Sequence, residues 1–221
     1  DSCLVGSEMC IRDRMGVGQY QNNFISIVNI EIKTKVMART PSNMIPLMTE
    51  APPFEIQDAV SGKMMSLNQL KGEKGIVIFF ICNHCPFVIH VNRELVRIAR
   101  DYADKGIGFV AISSNDVENY PDDAPHLMKK VAEEQGYPFP YLYDETQEVA
   151  KAYDAACTPD IYLFDANLRL AYRGQLDSSR PGNDIPVSGV DLRNALDAVV
   201  EGREVSGIQK PSLGCNIKWK V

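Results

Sequence analysis

An uninterrupted apolar run at residues 76–81, rich in β-branched and aromatic side chains, is the clearest local pattern in the chain. Such a run is typical of a central strand that is buried on both faces of a sheet. A second run of this kind at residues 107–114 predicts another buried strand. Because strands of this kind need cover on both sides, the pattern predicts helices on the two faces of a central sheet.

The segment between these two strands has apolar residues at helical spacing. They are separated by three or four residues, which gives one stripe along an amphipathic helix. Pro86 suits the first turn of this helix, where a missing N–H costs nothing, and Gly106 ends it. The succession of strand, helix and strand indicates a parallel crossover unit. The stripe consists of Val88, Val91, Leu95, Ile98 and Tyr102.

The rest of the chain continues the alternation of strands and helices. The pattern predicts short strands at 54–57 and 63–66, a polar helix at about 125–135, an edge-like strand interrupted by prolines within 137–144, a short helix around 149–153, a hairpin of 160–165 with 168–174, a helix at about 190–200 and a C-terminal tail. The prediction is an α/β fold with a central mixed β-sheet, helices on both faces and a late antiparallel pair.

Composition and charge narrow the classes of partner. The 221 residues are 45% hydrophobic and 24% charged, which suits a globular protein with one core. The formal charge is −6 and the isoelectric point is about 5.1, so the chain has no basic excess to attract phosphate backbones or anionic lipid. No apolar run has the length that crosses a bilayer. We therefore expect neither nucleic acid nor a membrane as a partner.

The first residues call for separate treatment. The stretch "LVGSEMCIRDR" (Leu4 to Arg14) resembles the conceptual translation of a transposase sequencing adapter rather than a natural peptide. We expect residues 1–36 to be non-native, translated upstream sequence that is disordered. The native chain is then expected to start at Met37 and to form one domain, residues 37–221, with a C-terminal tail.

Setting residues 1–36 aside leaves four cysteines. A chain that starts at Met37 has no secretory signal, so we expect a cytoplasmic location, where thiols stay reduced. In that compartment a C-x-x-C pair is more often catalytic or metal-binding than a structural disulfide. The four are Cys82, Cys85, Cys157 and Cys215.

Cys85 lies where the first long helix is expected to begin. The preceding strand ends near Ile81 and the helix starts near Pro86, which makes Cys85 the N-cap residue. Free N–H groups and the positive end of the helix dipole lower the pKa of a cysteine there by roughly 1 to 5 units. A thiolate at neutral pH is a nucleophile, so Cys85 is predicted to be catalytic. A protonated His84 would add a second cationic influence.

Three interpretations of Cys82 stay open from the residues alone. Its sulfur could bridge to Cys85 if the turn folds back. It could also be a small buried hydrophobe, as free cysteine often is. A metal site is the third, and a closed zinc site would need Cys157, Cys215 or a histidine to complete four ligands.

Several stretches of the chain resemble a known family. "APPFEIQDAVSGKMMSLNQLKGEKGIVIFF", "CPF" at the start of the first long helix, "YDETQEVAKAYDAACTPDIYLFD" and "LRLAYRGQLD" are similar to the thioredoxin-fold superfamily, in particular its alkyl hydroperoxide reductase/thiol-specific antioxidant (peroxiredoxin-like) branch. The resemblance covers residues 46 to about 200. "ICNHCPFV", "AACTPD" and "GCNIKWK" look like a bacterial subfamily described only as thioredoxin-like. A thioredoxin-like fold is what the resemblance implies.

The resemblance also assigns roles around Cys85. In the peroxiredoxin pattern P-x-x-x-T-x-x-C, Cys85 matches the peroxidatic cysteine, with Ile78 in place of the proline and Cys82 in place of the threonine. A thiol is a weaker hydrogen-bond partner than that hydroxyl. In the thioredoxin pattern W-C-x-x-C, Cys85 matches the nucleophile and Val88 replaces the second cysteine. Both comparisons leave Cys82 as the nearest candidate for a resolving thiol.

Two further segments acquire roles from the resemblance. "CTPD" resembles the loop that holds a cis-proline opposite the nucleophile, so Pro159 is expected to be cis and Thr158 to offer backbone hydrogen bonds to a thiol substrate. Cys157 is either a third redox thiol or a packing residue. Cys215 is either a C-terminal resolving cysteine or a tail residue packed beside Trp219, and the second is slightly favoured because it needs no chemistry.

The predicted function is a thiol-dependent oxidoreductase, either a thiol–disulfide oxidoreductase or a peroxiredoxin-like thiol peroxidase with antioxidant activity. We expect no cofactor, a thioredoxin-type reductant or a protein disulfide as the partner, and peroxide as the other candidate substrate. Two alternatives remain. One is a thiolate metal-binding or metallochaperone module, and the other is a thioredoxin-fold interaction protein with vestigial cysteines.

Overall fold

The computed structural model describes residues 39–221, which belong to the compact unit Met37–Val221. The predictions for residues 1–36, as non-native and disordered sequence, lie outside the described residues. Within the described part, no helix combines the length and the apolar character needed to cross a membrane.

A seven-stranded mixed sheet forms the centre of the fold. The strands of this sheet are β2 (Glu55–Asp58), β3 (Met64–Ser66), β4 (Gly75–Phe80), β5 (Ile107–Ser113), β6 (Tyr141–Tyr143), β8 (Asp160–Asp165) and β9 (Leu170–Arg173). Their order across the sheet is β3, β2, β6, β5, β4, β8 and β9. Strands β4, β5 and β6 are parallel to one another, and the other pairings are antiparallel.

Within residues 39–221, five α-helices accompany this sheet. They are α1 (Leu67–Leu70), α2 (Pro86–Ala103), α3 (Pro125–Gln135), α4 (Glu148–Ala152) and α5 (Val190–Val200), and a short 3-10 helix spans Pro121–Asp123. The amphipathic stripe predicted for α2 is confirmed, because all five of its apolar residues are buried. The predicted positions of α3 and α5 agree with the structure.

The central strand β4 divides the core into two clusters. Val77 and Phe79 belong to the cluster that α2, α3 and α5 cover, whereas Ile76, Ile78 and Phe80 belong to the one that α1 and α4 cover. Successive strand residues point to opposite faces, so a six-residue apolar run fills both clusters at once. The predicted α/β fold with helices on both faces is therefore confirmed.

The strand within residues 137–144 was predicted to be edge-like, and this was wrong. β6 lies between β2 and β5 inside the sheet. The prolines that suggested an edge, Pro138 and Pro140, both precede the paired residues of β6. Proline there does not interrupt the ladder, because the residues that must donate hydrogen bonds follow it.

A second, three-stranded antiparallel sheet was not predicted. It has the order β1 (Arg39–Pro41), β10 (Leu213–Asn216) and β7 (Cys157–Thr158). Cys215 of β10 pairs with Thr158 of β7, and Asn216 pairs with Cys157. The segment expected to be a tail is therefore a central strand, flanked on both sides.

Ile217 anchors the end of β10 in the core. It is 1% exposed and belongs to the cluster under α1 and α4. Replacing it with alanine removes buried methylene groups and leaves a cavity, so Ile217→Ala should lower the free energy of unfolding by about 2 to 5 kcal/mol. Urea denaturation measures the change.

Ile208→Ala is the matched control for this anchor. Ile208 lies in the same C-terminal segment but is 92% exposed. Its replacement should change the free energy of unfolding by no more than about 0.5 kcal/mol. Equal losses in the two variants would show that the C-terminal segment is not held by Ile217.

Candidate functional site

Cys85 is the N-cap residue of α2, as the sequence predicted. Its backbone is extended (φ −72°, ψ 120°), and Pro86 follows at the first helical position. The side chain is 0% exposed. The strand-to-helix turn thus places the predicted nucleophile at a helix N-terminus but inside the protein.

Two other cysteines lie around the sulfur of Cys85. The Sγ atoms of Cys85 and Cys215 are 2.9 Å apart, which is about 0.9 Å longer than a disulfide bond of about 2.0 Å. Cys82 shares the strand-to-helix turn, and its Sγ lies 3.4 Å from Oγ1 of Thr158. The described residues contain four cysteines, and none of them is in a disulfide.

The surroundings of Cys85 favour its ionised form. Hydrogen bonds from the thiols of Cys215 and then Cys82 lower the pKa of Cys85 most, and they outweigh the opposing effect of burial. The N–H of Val88 at the helix N-terminus contributes in the same direction. The pKa of Cys85 is lowered, as its place at the helix N-terminus predicted, but hydrogen bonds from the neighbouring thiols lower it more than the helix N–H group does. In the thiol form, Cys85 instead donates to the carbonyl oxygen of Thr158 at 3.1 Å.

The two neighbouring thiols stay protonated. Hydrogen bonding to Cys85 and then burial raise the pKa of Cys82 and that of Cys215. A charge on Cys85 is therefore shared with two S–H donors rather than with a cation. Because one thiolate and two thiols are in contact, a disulfide between Cys85 and a substrate can be replaced by a disulfide between Cys85 and one of the two neighbouring cysteines.

His84 and Asp123 form a pair at the edge of the cysteine cluster. Nδ1 of His84 lies 2.8 Å from Oδ2 of Asp123. Asp123 is buried and accepts hydrogen bonds from the N–H of Asn83 and the amide of Asn115, at 2.7 Å each. This pairing raises the pKa of His84, against the effect of burial. The carboxylate of Asp123 therefore favours the protonated, cationic form of His84, whereas an influence of His84 on Cys85 stays a prediction, because His84 is not among the causes of the Cys85 pKa shift.

Among the described residues, one group of side chains could hold a metal ion, and it lies in this region. Ligand atoms of Cys82, His84 and Asp123 lie within 4.8 Å of one another. Three ligands suit an open site rather than a closed one. The carboxylate of Asp123 already has three hydrogen-bonding partners, however, and these account for its burial without a metal.

Thr158 and Pro159 face the cysteines. The Thr158–Pro159 peptide bond is cis, which confirms the prediction for Pro159. Both the carbonyl and the hydroxyl of Thr158 contact a cysteine sulfur. Since Cys215 pairs with Thr158 along the ladder, the chain's own strand uses the backbone position that was predicted to receive a thiol substrate.

Cys157 lies behind this loop. Its side chain is fully buried, and burial is the main cause that raises its pKa. Its Sγ is 3.6 Å from the carbonyl of Pro159. The charges of Asp160 and Arg173 also act on Cys157, and these two residues form a buried ion pair with 3.1 Å between Oδ2 and Nη2. This environment suits the packing interpretation of Cys157.

The sequence brought forward six of the residues that meet here, but not how they meet. They are Cys82, His84, Cys85, Thr158, Pro159 and Cys215. The sequence favours a Cys215 packed beside Trp219, whereas the structure places the Sγ atom of Cys215 2.9 Å from that of Cys85. Asp123 was missed, because it lies 39 residues from His84 in an unremarkable acidic loop. No local spacing links it to the cysteines.

Two solved structures are similar to this chain over most of its length. An uncharacterized conserved protein from Geobacillus kaustophilus is 63% identical, with 83% of this chain and 97% of that chain covered and a TM-score of 0.82. A hypothetical protein from Sinorhizobium meliloti 1021 is 46% identical, with 82% and 99% covered and a TM-score of 0.80. Neither description carries a function.

A more distant match bears a functional description. Peroxidoxin BcpB from Mycobacterium tuberculosis is 18% identical, with 72% of this chain and 98% of that chain covered and a TM-score of 0.53. At that identity the likeness shows the fold alone. No curated protein matches the chain.

The fold is thioredoxin-like, which is the class expected from the sequence. The profile of the AhpC/TSA family matches residues 47–173, which is more than half of the chain. The protein belongs to the AhpC/TSA family. Family and fold together support a thiol-based redox function of the thioredoxin-fold type.

The thiolate of Cys85 can be titrated directly. Because hydrogen bonding from Cys215 is the largest cause of the lowered pKa, Cys215→Ala should move the apparent pKa of Cys85 upward, so that the thiolate disappears at a higher pH as the solution is acidified. Ultraviolet thiolate absorbance as a function of pH measures this without requiring access to the sulfur.

Cys157→Ala is the control, because Cys157 is equally buried but is not among the causes of the Cys85 shift. Its titration should match that of the wild type, and Cys85→Ser should abolish the signal near neutral pH. An unchanged titration in Cys215→Ala would contradict the hydrogen-bond explanation.

Asp123 should control the protonation of His84. Asp123→Asn removes the charge that raises the pKa of His84, so this pKa should fall in an NMR titration. Because the native value is raised, the pair stabilises the folded protein fully below the unfolded pKa of about 6.5, and this contribution is lost as the pH rises through the folded value. Asp122→Asn is the control, since Asp122 contacts the site only through its carbonyl. Equal His84 titrations in the two variants would contradict the pairing.

Proposed function

We propose that the protein is a thiol-dependent oxidoreductase in which Cys85 is the nucleophile. The observation that carries this proposal is the position of its sulfur, at the N-terminus of α2, with the sulfur of Cys215 at 2.9 Å. Ionisation requires stabilising donors, and the thiols of Cys215 and Cys82 and the hydroxyl of Thr158 supply them. Resolution requires a second thiol within bonding reach, and Cys215 meets that requirement.

With a disulfide substrate, the reaction has two exchanges. The Cys85 thiolate attacks one sulfur of the substrate, the substrate S–S bond breaks, and the other substrate sulfur leaves as a thiolate. Cys215 loses its proton to that thiolate and attacks the Cys85 sulfur, which breaks the mixed disulfide and releases the second substrate sulfur as a thiolate that takes a proton from solvent. The products are a Cys85–Cys215 disulfide and a fully reduced substrate, so two electrons pass from protein to substrate.

With a hydroperoxide, the first step differs. Cys85 attacks the terminal oxygen, the O–O bond breaks, and the sulfur becomes a sulfenic acid while the alcohol or water leaves. Cys215 then condenses with the sulfenic acid, and water is released. Both routes end in the same disulfide, and an external thiol reductant restores the two thiols.

Cys82 has a different position in this scheme. Its thiol donates to Cys85 and contacts Thr158, which supports a role in stabilising the thiolate. The prediction from the sequence, that Cys82 resolves the intermediate, remains an alternative. The two assignments give different disulfides, Cys82–Cys85 or Cys85–Cys215, and can be distinguished chemically. A cytoplasmic location and a thioredoxin-type reductant remain predictions.

A metal-binding module is the second candidate function. The specific observation in its favour is the group of Cys82, His84 and Asp123, with ligand atoms within 4.8 Å. Stoichiometric zinc or copper in the purified protein, lost in Cys82→Ser and retained in Cys157→Ser, would favour it over the oxidoreductase. Elemental analysis of the two variants provides that measurement.

Disulfide mapping tests the proposed reaction. After brief exposure of the reduced protein to dilute peroxide, we expect mass spectrometry to find a Cys85–Cys215 disulfide in the wild type and in Cys82→Ser. In Cys215→Ser the intermediate has lost its nearest thiol, so Cys85 should carry a trappable sulfenic acid. Recovery of a Cys82–Cys85 disulfide from the wild type would instead support the prediction from the sequence.

Activity measurements complete this test. Cys85→Ser should reduce both peroxide consumption and disulfide reduction to the rate without enzyme, because a hydroxyl is not ionised at neutral pH. Cys157→Ala, which changes a cysteine of similar burial, should keep most of the activity. Equal rates for the wild type and Cys85→Ser would contradict the oxidoreductase and leave the metal-binding module and the interaction protein with vestigial cysteines.

A further inference from the structure

Strand β10 occupies the space in front of the proposed nucleophile. Cys215 pairs with Thr158, which contacts both Cys85 and Cys82. With β10 in place, the exposed fractions of Cys85 and Cys215 are 0% and 2%. The edge of β7 is therefore already used by the chain itself, and the sulfur behind it is closed to large molecules.

The fit between β10 and β7 depends on Gly214. A Cβ atom at this position would lie 2.0 Å from the carbonyl oxygen of Thr158 and 2.5 Å from its carbonyl carbon. Both of these are backbone atoms, which cannot rotate away. Any side chain at position 214 must therefore push β10 off the loop that holds Thr158 and Pro159.

Both ends of β10 are fixed. Before it, Ser212 and Ser42 exchange hydrogen bonds, from the N–H of Ser42 to the carbonyl of Ser212 and from the N–H of Ser212 to Oγ of Ser42, at 2.9 Å each. After it, the N–H of Lys218 donates to Oδ1 of Asn115 at 2.8 Å. β1 covers the other edge of the strand. Complete release of β10 thus breaks the whole pairing on two sides, whereas a rotation of the Cys215 side chain leaves the backbone pairing of this residue with β1 and β7 in place.

We propose that β10 makes the protein selective for small oxidants by occupying the position where an extended polypeptide would pair with β7, and that Gly214 is the specificity-determining residue. The inference rests on the proposed function of Cys85. A small disulfide or hydroperoxide needs only local opening near Cys215. A polypeptide disulfide needs the edge of β7 and therefore the release of the whole strand.

The chemistry of the selected substrates is that of the two exchanges already described. A low-molecular-weight disulfide accepts two electrons, becomes two thiols and leaves the Cys85–Cys215 disulfide. The same barrier applies to the return reaction, so the reductant of the closed protein is a small thiol rather than the thioredoxin-type protein predicted from the sequence. Two molecules of this thiol give two electrons and two protons to the Cys85–Cys215 disulfide and are joined to each other as a disulfide.

A single-turnover comparison of two disulfides tests the proposal. The fully reduced protein is mixed with either cystamine or insulin, with no other reductant present, and the loss of protein thiols is followed. The wild type should react much faster with cystamine. In Gly214→Ala the ratio of the insulin rate constant to the cystamine rate constant should rise roughly tenfold, because the added methyl displaces a packed strand and frees the edge of β7.

Gly207→Ala is the matched control. A Cβ atom at Gly207 meets nothing within 4 Å, and the residue lies in the same C-terminal segment. Its two rate constants should equal those of the wild type. Amide hydrogen exchange at residues 213–216 verifies that β10 opens more often in Gly214→Ala but not in Gly207→Ala.

Several results would overturn the selectivity. One is a wild type that reacts equally fast with insulin and cystamine. Another is an equal rise of both rate constants in Gly214→Ala. The third is a Gly214→Ala variant whose rate constants are unchanged although its β10 amides exchange faster. If Gly214→Ala does not fold, Ile217→Ala loosens the same strand from its anchor and should show the same preferential rise for insulin.

Failure of the proposed function gives a different result. If Cys85→Ser still loses thiols to cystamine at the wild-type rate, then Cys85 is not the nucleophile, whatever β10 does. If Cys85→Ser is inert and Gly214→Ala keeps the wild-type preference, Cys85 is the nucleophile and only the selectivity is wrong.

Discussion

The structure depends on how a negative charge on one buried sulfur is stabilised. Burial opposes ionisation of Cys85. The groups that favour the thiolate are the thiols of Cys215 and Cys82, the hydroxyl of Thr158 and the N–H of Val88. Two of these groups, the thiol of Cys215 and the hydroxyl of Thr158, are positioned by other elements of the fold, β10 and β7. The site is therefore a property of the contact between the N-terminus of α2, the Thr158–Pro159 loop and β10, rather than of the helix end alone.

That contact explains why the C-terminal strand is held as firmly as it is. Ile217 enters the core, Gly214 allows the backbone of β10 to approach Thr158, and Lys218 is bonded to Asn115. Asn115 in turn donates to Asp123, which pairs with His84. The anchor of the strand and the carboxylate beside the cysteines are thus parts of one hydrogen-bonded network, which couples the position of β10 to the environment of the nucleophile.

The family and the sequence departures from its patterns are consistent with this arrangement. Cys82 stands where the peroxiredoxin pattern has threonine, and in the structure a threonine hydroxyl still reaches the sulfurs, from Thr158 of the opposite loop. Val88 stands where thioredoxin has its second cysteine, and a thiol is supplied instead by Cys215. The groups missing from the local patterns are provided by distant segments. This makes the chain a member of the AhpC/TSA family with its own arrangement of thiols.

The sequence by itself determined the elements whose signal is local. The apolar run of β4 and the stripe of α2 follow from periodicity, and the place of Cys85 follows from a strand that ends before Pro86. It could not determine that β6 is interior, that the tail pairs as β10, or that Asp123 holds His84. Those facts depend on pairings between residues 30 to 176 positions apart, and the free energy that selects them comes from packing and hydrogen bonds formed only when the whole chain folds.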